Sequence, residues 1–290
     1  MKPAAFDYVR AESVEHAVDV LAQTGSDGKI IAGGQSLMPM MNFRLVKPSM
    51  LVDINRIPGL DKVELRGSRI SIGALVRHRM TASDPVIAEN IPILHFAMKH
   101  VAHLTVRNRG TFCGSLCHAD PAAEMPMMAQ LLNARISIVS KAGQRNLDAR
   151  EFFVGSLVTA LEPDDLVTGV EIDTLPRGTG WGFEEFARRH GDYALAAVAV
   201  TMSRRDDLAS DVRIAVMGVG EMAMRVGQVE ALVEGQCLNG KLLDRAVDEL
   251  RNIIEPNSDV HASAEYRRHL CGELMRRALS DAWARAGGEA

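Results

Sequence analysis

Two glycine-rich segments are the parts of this chain best suited to binding chemistry. They are residues 32–36 (AGGQS) and 110–115 (GTFCGS). Glycine tolerates positive φ and lets the backbone approach a ligand closely, so successive amide N–H groups can converge on phosphate oxygens. A single Gly-Gly pair is more often a tight turn that needs glycine for its dihedral angles. Two such segments in one chain favour a pyrophosphate site.

The other candidate motifs carry less weight. Residues 218–220 (GVG) form a lone G-x-G without the third glycine and the acidic residue of a dinucleotide fingerprint. No G-x-S-x-G nucleophile motif occurs, and His118 with Asp120 matches no recurring metal-site spacing. Tyr193 precedes an apolar stretch, where its phenol could lie against a flat ligand or could simply end a strand. The chain thus offers two glycine-rich segments that could bind a ligand, but no clear acid, base or nucleophile.

Composition limits the class of partner. Hydrophobic residues make up 47% and charged residues 24% of the 290 residues, and the formal net charge of -4 gives no field that would attract nucleic acid. Because the sequence has neither a run of about 18 apolar residues nor a basic-then-apolar start, we expect no membrane span and no secretory signal. The four cysteines are Cys113, Cys117, Cys237 and Cys271. They fit neither a zinc pattern nor a disulfide framework, which indicates a reducing, cytoplasmic location.

Residues 1 to about 55 predict a small α/β lobe. Ser13 is a suitable N-cap for a helix over 13–23, which has apolar residues at helical spacing and glycines beyond its end. Short apolar runs at 29–31 and 51–54 predict two buried strands. The first glycine-rich segment therefore follows directly on a strand.

Residues from about 56 to 176 predict a second lobe. Its predicted strands are 69–74, 135–139 and 167–172. Helices are predicted to begin at Asp84, Pro92 and Asp120, because Asp accepts from free amides and Pro at the first helical position loses no hydrogen bond. We expect the second glycine-rich segment to lead into the N-terminus of the helix that begins at Asp120, where the helix dipole favours an anion.

Residues from about 177 predict a different module. Its predicted elements are strands at 194–202 and 212–217, a helix through 242–254 and a last helix over 262–286. On the last helix, five residues share one face: Tyr266, Leu270, Leu274, Ala278 and Ala282. A stripe of this kind is typical of a helix face that packs in the core, and it indicates no catalytic or binding role.

Several stretches together resemble a known family. They are residues 32–37 (AGGQSL) with Arg44 downstream, 106–111 (VRNRGT), 118–124 (HADPAAE), 189–194 (RHGDYA), 255–259 and 262–267. They resemble the FAD-binding medium subunit of molybdenum hydroxylases, the xanthine dehydrogenase and carbon monoxide dehydrogenase family. The similarity extends over nearly the whole chain, and the combination is far more specific than either glycine pair alone.

The resemblance implies an α+β fold. A two-lobed FAD-binding domain of the vanillyl-alcohol-oxidase (PCMH) type would cover residues 1–176, with lobes of about 1–55 and 56–176. An α+β C-terminal domain of the carbon monoxide dehydrogenase flavoprotein type would cover residues 177–290.

The resemblance also implies which residues bind FAD. In this family the two glycine-rich segments hold the pyrophosphate, an acidic and an apolar residue contact the flavin or its ribityl chain, and a tyrosine lies beside the isoalloxazine. Carried over to this sequence, the cofactor-binding set is Ile30, Ile31, Ala32, Gly33, Gly34, Gln35, Ser36, Leu37, Val101, Thr111, Cys113, Gly114, Ser115, Glu124, Val167 and Tyr193.

Three departures from the family pattern stand out. Cys113 occupies the position of the first glycine of a Gly-Gly pair, and Ser115 replaces an asparagine. Glu184 and Glu185 lie in a stretch where relatives often carry a lysine.

The function implied by the resemblance is electron transfer. FAD on this chain would accept electrons from [2Fe–2S] clusters of a small subunit, which receives them from a molybdenum cofactor on a large subunit, and pass them to an external acceptor. The implied assembly is a dimer of heterotrimers. The alternatives are a self-contained FAD-dependent oxidase of the same fold, and a scaffold subunit that has lost FAD.

Overall fold

A parallel sheet forms the first part of the computed structural model, which describes residues 1–286. Its elements are β1 (Asp7–Arg10), α1 (Val14–Thr24), a 3-10 turn (Gly25–Asp27), β2 (Gly28–Ile31), α2 (Leu37–Asn42) and β3 (Met50–Asp53). Strand β3 lies between β1 and β2 and runs parallel to both. The predicted start of α1 is confirmed, because the Ser13 side chain accepts a hydrogen bond from the His16 amide at 3.1 Å. The parallel order brings the loop after β2 and the residues after β3 to the same edge of the sheet.

An antiparallel sheet flanked by short helices forms the second part. Its elements are β4 (Val63–Arg66), β5 (Arg69–Gly73), α3 (His78–Thr81), α4 (Pro85–Asn90), α5 (Pro92–Ala97), α6 (Leu104–Arg107), α7 (Phe112–His118), α8 (Glu124–Leu131), β6 (Arg135–Ser140), β7 (Gly143–Asp148), α9 (Ala149–Phe152), β8 (Phe153–Gly155), β9 (Val158–Thr159) and β10 (Leu166–Asp173). The five-stranded sheet has the order β4-β5-β10-β6-β7, and β8 pairs only with β9. Helices α7 and α8 lie on this framework and carry much of the candidate site.

One predicted helix start in this part is wrong. The Asp84 and Pro92 starts are confirmed, but the helix expected at Asp120 begins only at Glu124. The Asp120 carboxylate instead accepts a hydrogen bond from the Ala122 amide at 2.8 Å, so it closes a local turn and caps no helix. The second glycine-rich segment also differs from expectation, because Thr111 is the N-cap of α7 and the segment forms the first turn of that helix.

A four-stranded antiparallel sheet covered by three helices forms the third part. Its elements are β11 (Gly180–Phe186), β12 (Ala196–Arg205), β13 (Leu208–Met217), β14 (Met224–Arg225), α10 (Gly227–Val233), α11 (Gly240–Ile253) and α12 (Ala264–Arg285). The strands follow in chain order. On the long helix α12, Tyr266 is 44% exposed, so its expected place in the core is wrong, whereas Ala278 and Ala282 are fully buried.

The third sheet is buried on both of its faces. One set of alternating residues joins the core of the second part: Phe183, Ala197, Ala199, Ala215 and Met217. The opposite set packs against α10–α12: Ala196, Val198, Val200, Ile214 and Val216. This arrangement explains why β12 reads as a continuous apolar run, since alternation is lost when both faces of a strand are covered.

Helix α12 lies very close to strand β11. A Cβ atom at Gly180 or Gly182 would overlap the backbone carbonyls of Ala282 and Ala278, so only glycine permits this approach. Because side chains alternate along a strand, Glu184 is on the same face as these glycines and Glu185 is on the face toward the second part. Among residues 1–286, no helix has the length and apolar character that a membrane span requires.

Candidate functional site

The first glycine-rich segment presents a row of unpaired amides. Within the described part of the chain, the amide N–H groups of Gly33, Gly34, Gln35 and Ser36 have no protein acceptor. Gly34 has φ +69, a left-handed conformation that glycine adopts without strain. Successive free amides in such a turn form a concave anion site.

The second glycine-rich segment lies directly against the first. A Cβ atom at Gly33 would overlap the Arg109 carbonyl oxygen and would lie 2.8 Å from Gly110 Cα, so the two backbones touch where glycine leaves room. From this contact the chain enters α7, where Thr111 Oγ1 accepts from the Gly114 amide at 3.0 Å. The Cys113 amide has no protein acceptor among the described residues. The free amides of the first segment therefore lie beside the start of α7, where the Cys113 amide is also free.

Side chains that the sequence analysis missed join the two segments. Asn55 donates from Nδ2 to the Ala32 carbonyl at 2.8 Å and receives a hydrogen bond from Arg77. Arg77 also donates to the Arg109 carbonyl. The position of Asn55 two residues after β3 was the available signal, since the ends of β2 and β3 meet at one sheet edge.

A cleft of about 410 Å³ opens at this junction. Its lining residues are Ile31, Ala32, Gly33, Gly34, Gln35, Met38, Pro39, Asn42, Asp53, Asn55 and Arg109. An adjoining cleft of about 390 Å³ is also lined by Asp53, Asn55 and Arg109, and in addition by Arg10, Arg56, Arg77 and Asn108. We call the cleft of about 410 Å³ the glycine cleft. The arginines beside it give surroundings that favour a negatively charged group.

The charges beside the glycine cleft are fixed by local contacts. Burial opposes ionisation of Asp53, but hydrogen bonds from Tyr8 and Asn55 outweigh it and lower the pKa of the carboxyl. Burial, together with the neighbouring charge of Arg109, lowers the pKa of Arg77. Four arginines and one aspartate line the two clefts, so the region carries an excess of positive charge that suits an anion.

Helix α7 turns one face toward open space. Gly114 and Cys117 are exposed, and Ser115 and His118 are half-buried, so residues three and four apart form one accessible stripe. Cys113 is on the opposite face, where burial raises the pKa of its thiol well above the usual value. Cys113 can therefore contribute its backbone, but not its side chain, to a ligand.

A second group of predicted residues lies at the far end of α7. His118 Nε2 is 3.9 Å from Asp120 Oδ2, and the charges of Asp120 and Glu124 reach the phenol of Tyr193. Burial, followed by these two charges, raises the pKa of Tyr193 although its side chain is 64% exposed. The phenol of Tyr193 is therefore open to water and lies within reach of the Asp120 and Glu124 carboxyl groups. We call Asp120, Glu124, Glu185 and Tyr193 the acidic cluster.

The loop that carries Tyr193 is anchored from two sides. Gly191 has φ +85, and a Cβ atom there would lie 2.5 Å from the His103 ring, so the loop packs closely on the second part. Arg267 of α12 is buried and donates to the Leu195 carbonyl at 2.7 Å and to Asp259 at 2.8 Å. The position of Tyr193 thus depends on contacts from both the second and third parts.

The structure brings most of the predicted residues into an elongated site. The first segment and Thr111 lie at one end of α7, and Glu124 and Tyr193 lie at the other, about 10 Å away for seven helical residues. Val101 and Val167 are buried, the first beside α6 and the second in β10, a strand that packs under α7. Ile30 lies within β2, and Leu37 begins α2.

These residues fit FAD on their own geometry. Free amides and neighbouring arginines suit a pyrophosphate, and the exposed Tyr193 ring beside the acidic cluster suits a flat, polar ring at the other end. No group of three or more His, Cys, Asp or Glu side chains suited to a metal ion is present in residues 1–286. The site can hold and orient a dinucleotide.

Two family models match consecutive parts of the chain. Residues 4–175 match the FAD binding domain in molybdopterin dehydrogenase, and residues 181–282 match the CO dehydrogenase flavoprotein C-terminal domain.

Curated relatives match over nearly their full length. The chain is 43% identical to the 6-hydroxypseudooxynicotine dehydrogenase complex subunit alpha of Paenarthrobacter nicotinovorans, covering 99% of this chain and 97% of the relative. It is 35% identical to the carbon monoxide dehydrogenase medium chain of Hydrogenophaga pseudoflava, covering 98% and 99%.

Solved structures show the same fold. A chain of carbon monoxide dehydrogenase from Hydrogenophaga pseudoflava superposes with a TM-score of 0.97 at 36% identity, covering 99% of this chain and 100% of that one. A chain of quinoline 2-oxidoreductase from Pseudomonas putida 86 gives a TM-score of 0.94 at 38% identity, covering 99% of each. The expected resemblance and the α+β fold are confirmed, and the chain belongs to the family of FAD-binding medium subunits of molybdopterin dehydrogenases.

Proposed function

We propose that this chain is the electron-transfer subunit of a heterotrimeric molybdenum hydroxylase. A small subunit with [2Fe–2S] clusters would deliver electrons that come from the molybdenum cofactor of a large subunit, and an external acceptor would remove them. The support is similarity over nearly the full length to subunits of two dehydrogenases and of nicotine 6-hydroxylase. We further propose a dimer of heterotrimers and a cytoplasmic location, for which the four free cysteines suit a reducing compartment.

We propose that residues 1–176 form the FAD-binding domain, with lobes of about 1–55 and 56–176, and that 177–290 form the C-terminal domain. The last four residues of that range lie outside the described residues. In this division the glycine cleft lies between the two lobes, and the acidic cluster includes residues from both domains.

The residues have separate roles in this proposal. The amides of Gly33, Gly34, Gln35 and Ser36, with that of Cys113, would hold the pyrophosphate. The other residues of the two segments would lie at the same pyrophosphate end: Ile30, Ile31, Ala32, Leu37, Thr111, Gly114 and Ser115. Glu124, Val167 and Tyr193 would lie along the ribityl chain and ring, and Val101 completes the proposed FAD-binding set. Bound FAD supplies the chemistry, since it can take electrons one at a time and release them in pairs.

The chain's own groups bind, orient and shield. Asn55 and Arg77 fix the two glycine-rich segments against each other, so the free amides are preorganised before a ligand arrives. The Tyr193 loop, held by Arg267 through the Leu195 carbonyl, would lie beside the ring at the far end of the site. The single structural observation that carries the proposed FAD site is the row of unpaired amides in the first segment, which lies against the residues just before α7.

The test is to purify the chain alone and together with both partner subunits. We expect the isolated chain to bind FAD and to show a flavin visible spectrum without hydroxylating any substrate, because its sequence holds no molybdenum site. Substrate-dependent electron transfer should appear only with both partners present. Failure to bind FAD would identify a scaffold subunit, and steady turnover by the chain alone would identify an oxidase.

A further inference from the structure

The cleft that adjoins the glycine cleft carries more positive charge than a single pyrophosphate uses. We call this cleft of about 390 Å³ the arginine cleft, because it is lined by Arg10, Arg56, Arg77 and Arg109 with one carboxylate, Asp53. Arg109 also lines the glycine cleft, whereas the other three arginines do not. A pyrophosphate held by the amides of the glycine cleft would therefore leave three guanidinium groups facing an empty volume.

The arginine cleft lies at the carboxyl edge of the first sheet. Arg10 ends β1 and is the register partner of Asp53, which ends β3, and Arg56 follows three residues later. In parallel sheets, ligands bind in the crevices outside the carboxyl ends of the strands. Because β3 lies between β1 and β2, this edge has two adjacent crevices. The glycine cleft occupies the one beside β2, and the arginine cleft occupies the one beside β1.

The single carboxylate of the arginine cleft is already engaged. Asp53 accepts hydrogen bonds from the Tyr8 hydroxyl, from the Asn55 backbone amide at 2.8 Å and from Asn55 Nδ2 at 2.7 Å. The Arg10 guanidinium lies 6.0 Å from the centroid of the Tyr8 ring. Tyr8 thus holds Asp53 with its hydroxyl and lies beside Arg10 with its ring, and the carboxylate stays apart from the guanidinium groups.

The four guanidinium groups have no counter-ion in the described protein. Within residues 1–286, none of them forms an ion pair with a carboxylate. Arg77 is half-buried and donates to two neutral acceptors, the Asn55 side chain at 2.5 Å and the Arg109 carbonyl. The side chains of Arg56 and Arg109 have no hydrogen-bond partner in the same part of the chain. Like charges held together in this way repel one another, and a bound anion would remove that repulsion.

We propose that the arginine cleft binds a phosphate group of a second molecule while FAD occupies the glycine cleft. The inference takes the pyrophosphate of FAD to lie in the glycine cleft, as in the proposed function. Arginine suits phosphate because its planar guanidinium can donate two parallel hydrogen bonds to it. A volume of about 390 Å³ is at the lower end of the range for ligand sites. It suits inorganic phosphate or the phosphate group of a single nucleotide.

The experiment titrates the FAD-loaded full-length chain with inorganic phosphate and, separately, with AMP. Isothermal titration calorimetry at neutral pH and fixed ionic strength should show one phosphate bound per chain with a Kd below about 1 mM. If AMP binds more tightly than inorganic phosphate, the ligand is a nucleotide. If the two bind equally, the cleft recognises the phosphate group alone.

A double variant tests whether the arginine cleft is the place of binding. Arg10→Gln combined with Arg56→Gln removes two charges at exposed positions outside the glycine cleft. We expect phosphate binding to weaken by about tenfold or more and FAD binding to weaken by less than about threefold. Arg150→Gln is the matched control, because Arg150 is exposed on α9 and lines neither cleft. It should leave phosphate binding unchanged, and scanning calorimetry should show the same Tm for all the chains.

Two results would overturn the inference and leave the proposed function intact. The first is the absence of saturable phosphate or AMP binding to the FAD-loaded chain below about 10 mM, or an equal loss of binding in the Arg150 control. The second is phosphate that binds only the FAD-free chain and competes with FAD one for one, which would assign the arginines to the pyrophosphate of FAD. Absence of FAD binding would instead overturn the proposed function, whereas phosphate binding that depends on Arg10 and Arg56 would stand independently of it.

Discussion

Replacing Gly33 with alanine should separate the two glycine-rich segments. The added Cβ would overlap the Arg109 carbonyl oxygen and lie 2.8 Å from Gly110 Cα, where ordinary contact begins near 3.4 Å. Both neighbours are backbone atoms, so neither can rotate away as a side chain could. We expect this overpacking to cost about 1–3 kcal/mol of unfolding free energy. For a chain of this size that corresponds to a fall in Tm of roughly 2–10 °C.

The effect on FAD should be larger than the effect on stability. If the displaced segments lose two amide hydrogen bonds to the pyrophosphate, at about 1.5 kcal/mol or more each, the loss of about 3 kcal/mol raises the Kd by roughly 100-fold. Isothermal titration of the flavin-free chain with FAD measures this directly. Differential scanning calorimetry without FAD measures the structural cost separately.

Two matched variants control for the added methyl group. Gly155→Ala adds the same atom where nothing lies within 4 Å, and should change neither Tm nor Kd. Gly67→Ala introduces a side chain at φ +64 in open space, so it should lower stability by about 1–2 kcal/mol and leave FAD binding unchanged. A Gly33→Ala chain that binds FAD within threefold of the wild type would refute the assignment of this junction as the pyrophosphate site.

Three further outcomes are expected. Tyr193→Ala should weaken FAD binding by about 0.5–1.5 kcal/mol and change the flavin spectrum and reoxidation rate, whereas Tyr193→Phe should change them little; unchanged spectra in Tyr193→Ala would place the ring elsewhere. Arg267→Met should lower the unfolding free energy by about 2–4 kcal/mol, because the Leu195 and Gly218 carbonyls and Asp259 lose their donor; an unchanged Tm would contradict this. Hydrogen bonds from two amides and from Arg267 lower the pKa of Asp259 to about 2. The stabilisation of the fold by the Asp259 carboxylate is therefore complete above about pH 4 and is lost as the pH falls toward 2. Asp259→Asn should flatten that part of an acid-denaturation curve.

Local signals in the sequence were sufficient for the elements that depend on local contacts. The Ser13 and Asp84 caps were predicted correctly because each side chain bonds to amides two or three residues ahead. The Asp120 start was wrong because Asp followed by Pro suits a turn as well as a helix, and the turn formed. Sequence alone offers no means of choosing between them.

Long-range contacts account for most of what was missed at the site. Asn55 and Arg77 are 22 residues apart and join segments from different sheets, so no spacing pattern reports them. The two glycine-rich segments were recognised separately, but their backbone contact at Gly33 depends on how the lobes pack. The set of FAD-binding residues stays a prediction, which the experiments above address.

The doubly covered sheet of β11–β14 has a consequence for how the protein can be divided. One row of its small residues, including Ala197 and Ala215, belongs to a core that is completed only by the preceding part of the chain. A fragment starting near residue 177 would expose that row to water and should aggregate or associate through it. Exchanging this region between relatives should likewise give stable hybrids only when the side chains on both sides of this shared core are exchanged together. Two family models describe the sequence, but the shared core makes the two matched regions a single folding unit.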